Sequence, residues 1–377
     1  MNELSETITE RRRLTRNSIY NYIYAAETPP SKQDIAQALS LSLPTVHQNV
    51  GELVKAGYIK VGKIQQSTGG RRPAGYEVIP DVRFAVGISV SAEHLRFLAT
   101  DLRLGELANK KIEARSLKST EIAIRMATEL EKFLDENHLD RSRMLGVGIT
   151  LPAVIDEEKD KIKLSPTLQM KNISLKTIRE HIPYPTYVEN DGSSGGFAEW
   201  FPMRNEKKDM AYLYIENGVG GAVFIHGEPY LGVNKRSGEF GHMCVEPGGL
   251  TCKCGKKGCL EAYVSARRIT ADLGVETEDF FEEIKNGNKN YEELWMDMLK
   301  HLAIGIANIR MALDCDIVLG GFLSQYMEPY LPEIRRMVAE QDPFEEKSNY
   351  IYLSRYPKKA DRMGVAWHFI KEFIESI

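Results

Sequence analysis

Four of the chain's five cysteines fall between positions 244 and 259, in a run, HMCVEPGGLTCKCGKKGCLE, that opens on His242 and closes on Glu261. Cys252, Cys254 and Cys259 put three thiols within eight residues, and thiolates with imidazole are the donors that a tetrahedral Zn²⁺ prefers. Glycines at 248, 249, 255 and 258 let so short a backbone fold around one ion. Either His242 or Cys244 completes a set of four, because residues two apart on a strand point the same way and spacing does not separate them. The alternative is a set of reduced, buried thiols or a redox pair. No C-x-x-C spacing is present, and uncompensated sulfurs in a Gly-Lys-rich loop make a poor core, so a metal is the stronger reading. A closed four-ligand site is structural rather than hydrolytic.

At 377 residues the chain fits two or three domains, each able to bury an interior. Hydrophobic residues at 42% and charged ones at 27% are the proportions of a globular protein that folds in water. No run of about 18 apolar residues occurs, and the opening MNELSETITERRRL lacks a signal-peptide core. The expectation is a cytoplasmic protein without membrane contact, whose thiols stay reduced, which argues for metal over disulfides. Residues 1–80 hold ten Lys/Arg against seven Asp/Glu, leaving 39 against 46 for the rest. A basic head on an acidic body suggests a polyanion-binding module joined to something that does not bind polyanions.

The head reads as three helices and a hairpin. Ile19, Ile23 and Ala26 recur at helical spacing until Pro29-Pro30 stops them. Ser31 is placed to cap SKQDIAQALS, with Asp34 as the reciprocal capping residue and Ile35 and Leu39 inward. Ser42 caps LPTVHQNVGELVKA, where Leu43, Val46, Val50 and Leu53 form an apolar stripe and Gly57 a stop. Thr45, Gln48, Asn49 and Glu52 share the other face, and short or amide side chains in such a row suit base edges. YIKVGKI and GYEVI are strands joined by QQSTGGRRPA, which would present Arg71 and Arg72 to phosphates or a narrow minor groove. The order is that of a winged helix-turn-helix, with residues 1–80 as a domain that binds double-stranded DNA. The segment IPDVR, 79–83, is the junction to the body, 81–377.

The body alternates strands and helices in two similar rounds, which predicts an α/β fold of two lobes with a ligand cleft between them. FAVGISVS, HLRFLATDL and LANKKIEA open the first round; MAYLYI and GAVFI open the second, which returns to DIVLGG and YIYLS.

The sequences GGRRPAGYEV, GVGITLPAVID, VENDGSSGGFAEW, ENGVGGAVF, GEFGHMCVEPGGLTCKCGKKGCLE and IVLGGF, in this order, resemble the ROK family of repressors and sugar kinases over nearly the whole chain. The resemblance implies an N-terminal winged helix followed by an actin-like, ribonuclease-H-like body whose lobes close on a sugar. It also implies the metal set His242, Cys252, Cys254 and Cys259, with one structural zinc per chain. The family's sugar ligands match Asn190, Asp191, Glu239, His242 and Glu261, and a ring nitrogen of His242 left free by the metal would meet a sugar hydroxyl.

Two departures matter. Ala153 stands where sugar-kinase relatives usually carry Gly, which would change which sugar fits. The kinases' Asp-x-Gly-Gly-Thr phosphate turn is here Ser89-Val90-Ser91-Ala92-Glu93, with side chains where bare N–H groups should meet phosphate and a carboxylate that would repel it. Asp191, the base in family kinases, then serves as a sugar ligand without a phosphoryl donor. The resulting expectation is a sugar-responsive DNA-binding regulator, a repressor of carbohydrate uptake or catabolism genes whose operator affinity changes when sugar binds between the lobes, and not an enzyme. A homodimer, alone or as a dimer of dimers, would set two recognition helices in successive major grooves. The rival expectation is an ATP-dependent sugar kinase with a DNA-binding head.

Overall fold

The computed structural model describes residues 2–62, 74–114, 119–156, 160–201 and 208–377, with backbone alone for 2–9. Arg71 and Arg72 lie outside the described residues. The head comprises α1 (Asn2–Ala25), α2 (Lys32–Ala38), α3 (Leu43–Lys55) and the antiparallel pair β1 (Ile59–Val61) and β2 (Tyr76–Val78). Both helix starts follow their capping residues. Ser31 and Asp34 form a reciprocal capping box, and Ser42 Oγ accepts from the Thr45 amide. Val46, Val50 and Leu53 are buried, but Leu43 is 49% exposed. As the first residue of α3 it precedes the turn that packs, so it is not part of the stripe.

After a 3₁₀ turn at Pro80–Val82, β3 (Phe84–Val90), β4 (His94–Asp101) and β5 (Glu106–Glu113) form a meander. Helix α4 (Ser119–Glu136) leads to β6 (Met144–Leu151). A three-stranded sheet of β7 (Val154–Asp156), β8 (Lys161–Ser165) and β9 (Met170–Ser174) follows, a feature the sequence reading passed over. Then come α5 (Lys176–Arg179), β10 (Thr186–Asn190) and α6 (Asp191–Trp200).

The second round holds β11 (Met210–Ile215), β12 (Val219–Ile225), β13 (Glu228–Pro229), α7 (Leu260–Val264), α8 (Arg267–Thr270), α9 (Thr277–Lys285) and α10 (Lys289–Leu313). It ends with β14 (Asp316–Gly320), α11 (Leu331–Ala339), β15 (Ile351–Leu353) and α12 (Ala360–Ser376). Sheet order is β5-β4-β3-β6-β10 in the first lobe and β13-β12-β11-β14-β15 in the second. In both, three antiparallel strands continue into two parallel ones, so the second lobe repeats the topology of the first.

Each lobe has its own core, around Phe97 and Phe133 in the first and around Phe280, Trp295 and Leu299 in the second. Helices α6 and α12 cross between them at near backbone contact. A Cβ on Gly364 would lie 1.7 Å from the Ser194 carbonyl oxygen, so the crossing requires glycine. A third cluster joins head and body: Ile19, Ile23, Val50 and Leu53 are continuous with Met363, Trp367, Ile370 and Ile374 of α12.

Candidate functional site

His242, Cys252, Cys254 and Cys259 each bring a donor atom within 4.8 Å of the others. The Cys254 and Cys259 sulfurs are 3.7 Å apart, which fits two corners of a tetrahedron of Zn–S bonds, about 3.8 Å. Cys252 and Cys259 are buried, while His242 and Cys254 stand at the rim. Burial pushes the Cys252 thiol up to about 12, a cost that a bound cation would remove. The donor set therefore suits a metal. Cys244, the other candidate, is exposed and faces Cys259 across a short antiparallel bridge, outside the group of four.

The residues expected to hold a sugar gather around the first half of β12. A Cβ on Gly192, beside Asn190 and Asp191, would lie 3.1 Å from the Gly221 amide nitrogen; one on Gly238, beside Glu239, would lie 2.3 Å from the Gly221 carbonyl oxygen. Glu261, in the first turn of α7, accepts from the Val219 amide at 3.0 Å through Oε2, and its Oε1 lies 3.5 Å from Cys252 Sγ. His242 Nε2 is 3.9 Å from Glu239 Oε2, beyond direct hydrogen-bond reach.

Asn190 is less free than its residue type suggests. Its Oδ1 caps α6 by accepting from the Ser193 amide at 3.0 Å, and its Nδ2 donates to the Ala153 carbonyl at 3.1 Å. Ala153 is itself buried, and its link to Asn190 is through the backbone carbonyl.

Asp191 accepts from the Gly192 amide at 2.9 Å. Burial first, and then the negative charge of Asp361, hold its carboxyl up at about 7. Glu216 is also pushed to about 7 by burial; Arg96 offsets part of the rise and Asp361 adds to it. The sequence reading missed Glu216 and Asp361. For Glu216 there was a signal: an acidic residue two positions before the first glycine of ENGVGG.

In both hairpins, amides at the turn are already bonded within the protein. In the β3–β4 turn, the Ser91 amide donates to the His94 carbonyl at 3.0 Å, while Ser91 Oγ accepts from the His94 amide at 3.1 Å. In the β11–β12 turn, Glu261 takes the Val219 amide, and Glu216 takes the Phe322 amide at 2.8 Å.

On α3, Gln48 is exposed and Thr45 partly so, with Thr45 Oγ1 2.7 Å from Ser42 Oγ. Asn49 is placed differently. It is buried and donates to the Thr45 carbonyl at 2.8 Å, so its amide faces its own helix rather than a base edge.

A winged helix and two lobes of repeated topology, with a group of buried carboxylates and a His/Cys cluster, define the class of protein. Residues 85–372 match the ROK family, and residues 12–60 match a winged helix-turn-helix DNA-binding family. The chain belongs to the ROK family. The xylose repressor of Bacillus subtilis strain 168 is 26% identical over 361 residues, covering 93% of each chain. The DNA-binding transcriptional dual regulator NagC of Escherichia coli K12 is 28% identical over 247 residues, 64% of this chain and 60% of NagC. In fold, a ROK family transcriptional regulator described as a homolog of the E. coli MLC protein superposes with a TM-score of 0.74 at 21% identity, covering 97% of both chains. Solved sugar kinases of the family share the body's fold.

Proposed function

We propose that this protein is a DNA-binding transcriptional repressor of carbohydrate uptake or breakdown genes, released or tightened on its operator by a small sugar. The observation that carries the reading is the union in one chain of a capped, polar-faced α3 with a group of carboxylates beside two hairpins in which turn amides are already bonded. The repressors among its relatives support it. Gln48 and Thr45 read base edges, with Arg71 and Arg72 on the backbone or minor groove; Asn49 enters the set only if its amide leaves the Thr45 carbonyl.

Asp191, Glu239, His242 and Glu261 hold the sugar hydroxyls, with Asn190 contributing what its cap leaves free. Zinc on His242, Cys252, Cys254 and Cys259 fixes both ends of the loop that carries His242 and Glu261. Two copies pair, so that two α3 helices enter successive major grooves.

The test is a thermal-shift screen of D-xylose, D-glucose, N-acetylglucosamine and their phosphates, followed by operator binding with the sugar that stabilises the protein. A shift and an altered operator affinity are expected. Operator affinity indifferent to the whole panel would remove sugar control. Sugar phosphorylation from Mg-ATP that Asp191→Asn abolishes would instead establish a kinase.

A further inference from the structure

We infer that α12 is a strut carrying the state of the cleft to the recognition helix, with Arg16 as the joint at its far end. This rests on the proposed function and adds its route of regulation.

At the cleft end, the Asp361 carbonyl accepts from Ser194 Oγ at 2.6 Å, and its carboxylate lies 3.4 Å from Thr150 Oγ1 on β6. Ser194 is in the first turn of α6, the helix that begins at Asp191. The shaft is a continuous helix of 17 residues, about 25 Å long. Met363, Ala366, Trp367, Ile370 and Ile374 are buried along it, so it does not slide without disturbing both ends.

At the head end, three side chains of α1 take the carbonyls that a helix terminus leaves without internal partners. Arg13 Nη1 donates to the Glu375 carbonyl at 2.7 Å, Arg16 Nε to that of Ile377 at 2.6 Å, and Asn17 Nδ2 to that of Ile374 at 2.5 Å. Two of the three are cations, the charge that suits a helix C-terminus. Arg16 also reaches α3: its Nη1 is 3.5 Å from Glu52 Oε2, and Glu52 Oε1 accepts from Gln48 Nε2 at 3.1 Å. One guanidinium therefore touches the end of α12 and the carboxylate that orients an exposed residue of the recognition face. The Tyr58 and Phe373 rings, edge to face at 5.5 Å, back this contact. A shift of α6 on sugar binding moves Ser194, then α12, then Arg16, and with it the Glu52–Gln48 pair.

The experiment uses the full chain in four forms: wild type, Ser194→Ala, Arg16→Met and the double variant. Hydrogen exchange of residues 43–55 is read without sugar. Ser194→Ala should change it by about threefold in the Arg16 background and leave it unchanged in the Arg16→Met background. With D-xylose, or the panel sugar that binds, Arg16→Met should keep sugar affinity within about twofold while losing most of the sugar's effect on an operator selected from a random duplex library. Arg16→Lys, which keeps the charge but not the forked geometry, should fall between and guards against a head that merely unfolds. Equal responses of α3 to Ser194→Ala in both backgrounds would overturn the strut, as would no response in either. Failure of every sugar to bind would remove the proposed function, while the sugar-free exchange comparison would still judge the strut.

Discussion

The β3–β4 and β11–β12 hairpins hold equivalent places in two sheets of the same strand order, yet they close by opposite means. The first has lost glycine, and a hydroxyl, Ser91 Oγ, satisfies the turn. The second keeps Gly218, Gly220 and Gly221, and a carboxylate from outside it, Glu261 of α7, accepts from its Val219 amide, while its own Glu216 accepts from the Phe322 amide beyond β14. The difference shows that a surviving glycine loop need not be a surviving phosphate site. A Cβ at Gly221 would lie 2.0 Å from the Tyr212 carbonyl oxygen, so packing alone accounts for that glycine.

The strongest way to break the comparison is through the metal loop that supplies Glu261. Chelation, or Cys259→Ser, should release one metal per chain, lower Tm by ~10 °C and free the Val219 amide. Metal analysis alongside a melting curve checks it, and protein purified metal-free with an unchanged Tm would contradict it. Next in size is Gly221→Ala, which should cost about 2–4 kcal/mol in denaturant unfolding because backbone cannot yield as a side chain can. A neutral result would return that glycine to ligand binding.

A third test uses the buried acids. Asp191 and Glu216 hold protons more tightly folded than unfolded, so their contribution to stability is full below about pH 4 and is lost as pH rises through about 7. Asp191→Asn should therefore raise Tm relative to wild type at pH 8 and scarcely at pH 4, while weakening sugar binding. A difference independent of pH would mean that Asp191 is ionised and well solvated. The smallest effect belongs to the first hairpin: Ser91→Ala removes its bonds with His94 and should cost about 1 kcal/mol. A much larger loss would give this turn a role that its geometry does not suggest.

Much of this was legible in the residues themselves. Ser31 with Asp34, and Ser42, marked helix starts because capping is local chemistry. Three closely spaced cysteines marked a cluster able to hold a metal because these donors come from one short loop. The placement of Asn49 is something sequence cannot supply: a helix face is continuous, and only packing showed that its amide turns to Thr45. Glu216 and Asp361 were missed because their meaning depends on partners about 100 residues or more away, Phe322 and Thr150.

The sequence by itself determined the winged helix, the two-lobed body and the His/Cys loop, since periodicity, caps and ligand spacing act within a few residues. It left His242 and Cys244 equal as the fourth ligand until resemblance favoured His242. Tertiary structure separated them by bringing His242, and not Cys244, into the group of four. It also decided that α12 ties the body to the head, because the Arg13, Arg16 and Asn17 contacts join residues more than 350 positions apart, where only the folded chain brings donor to acceptor.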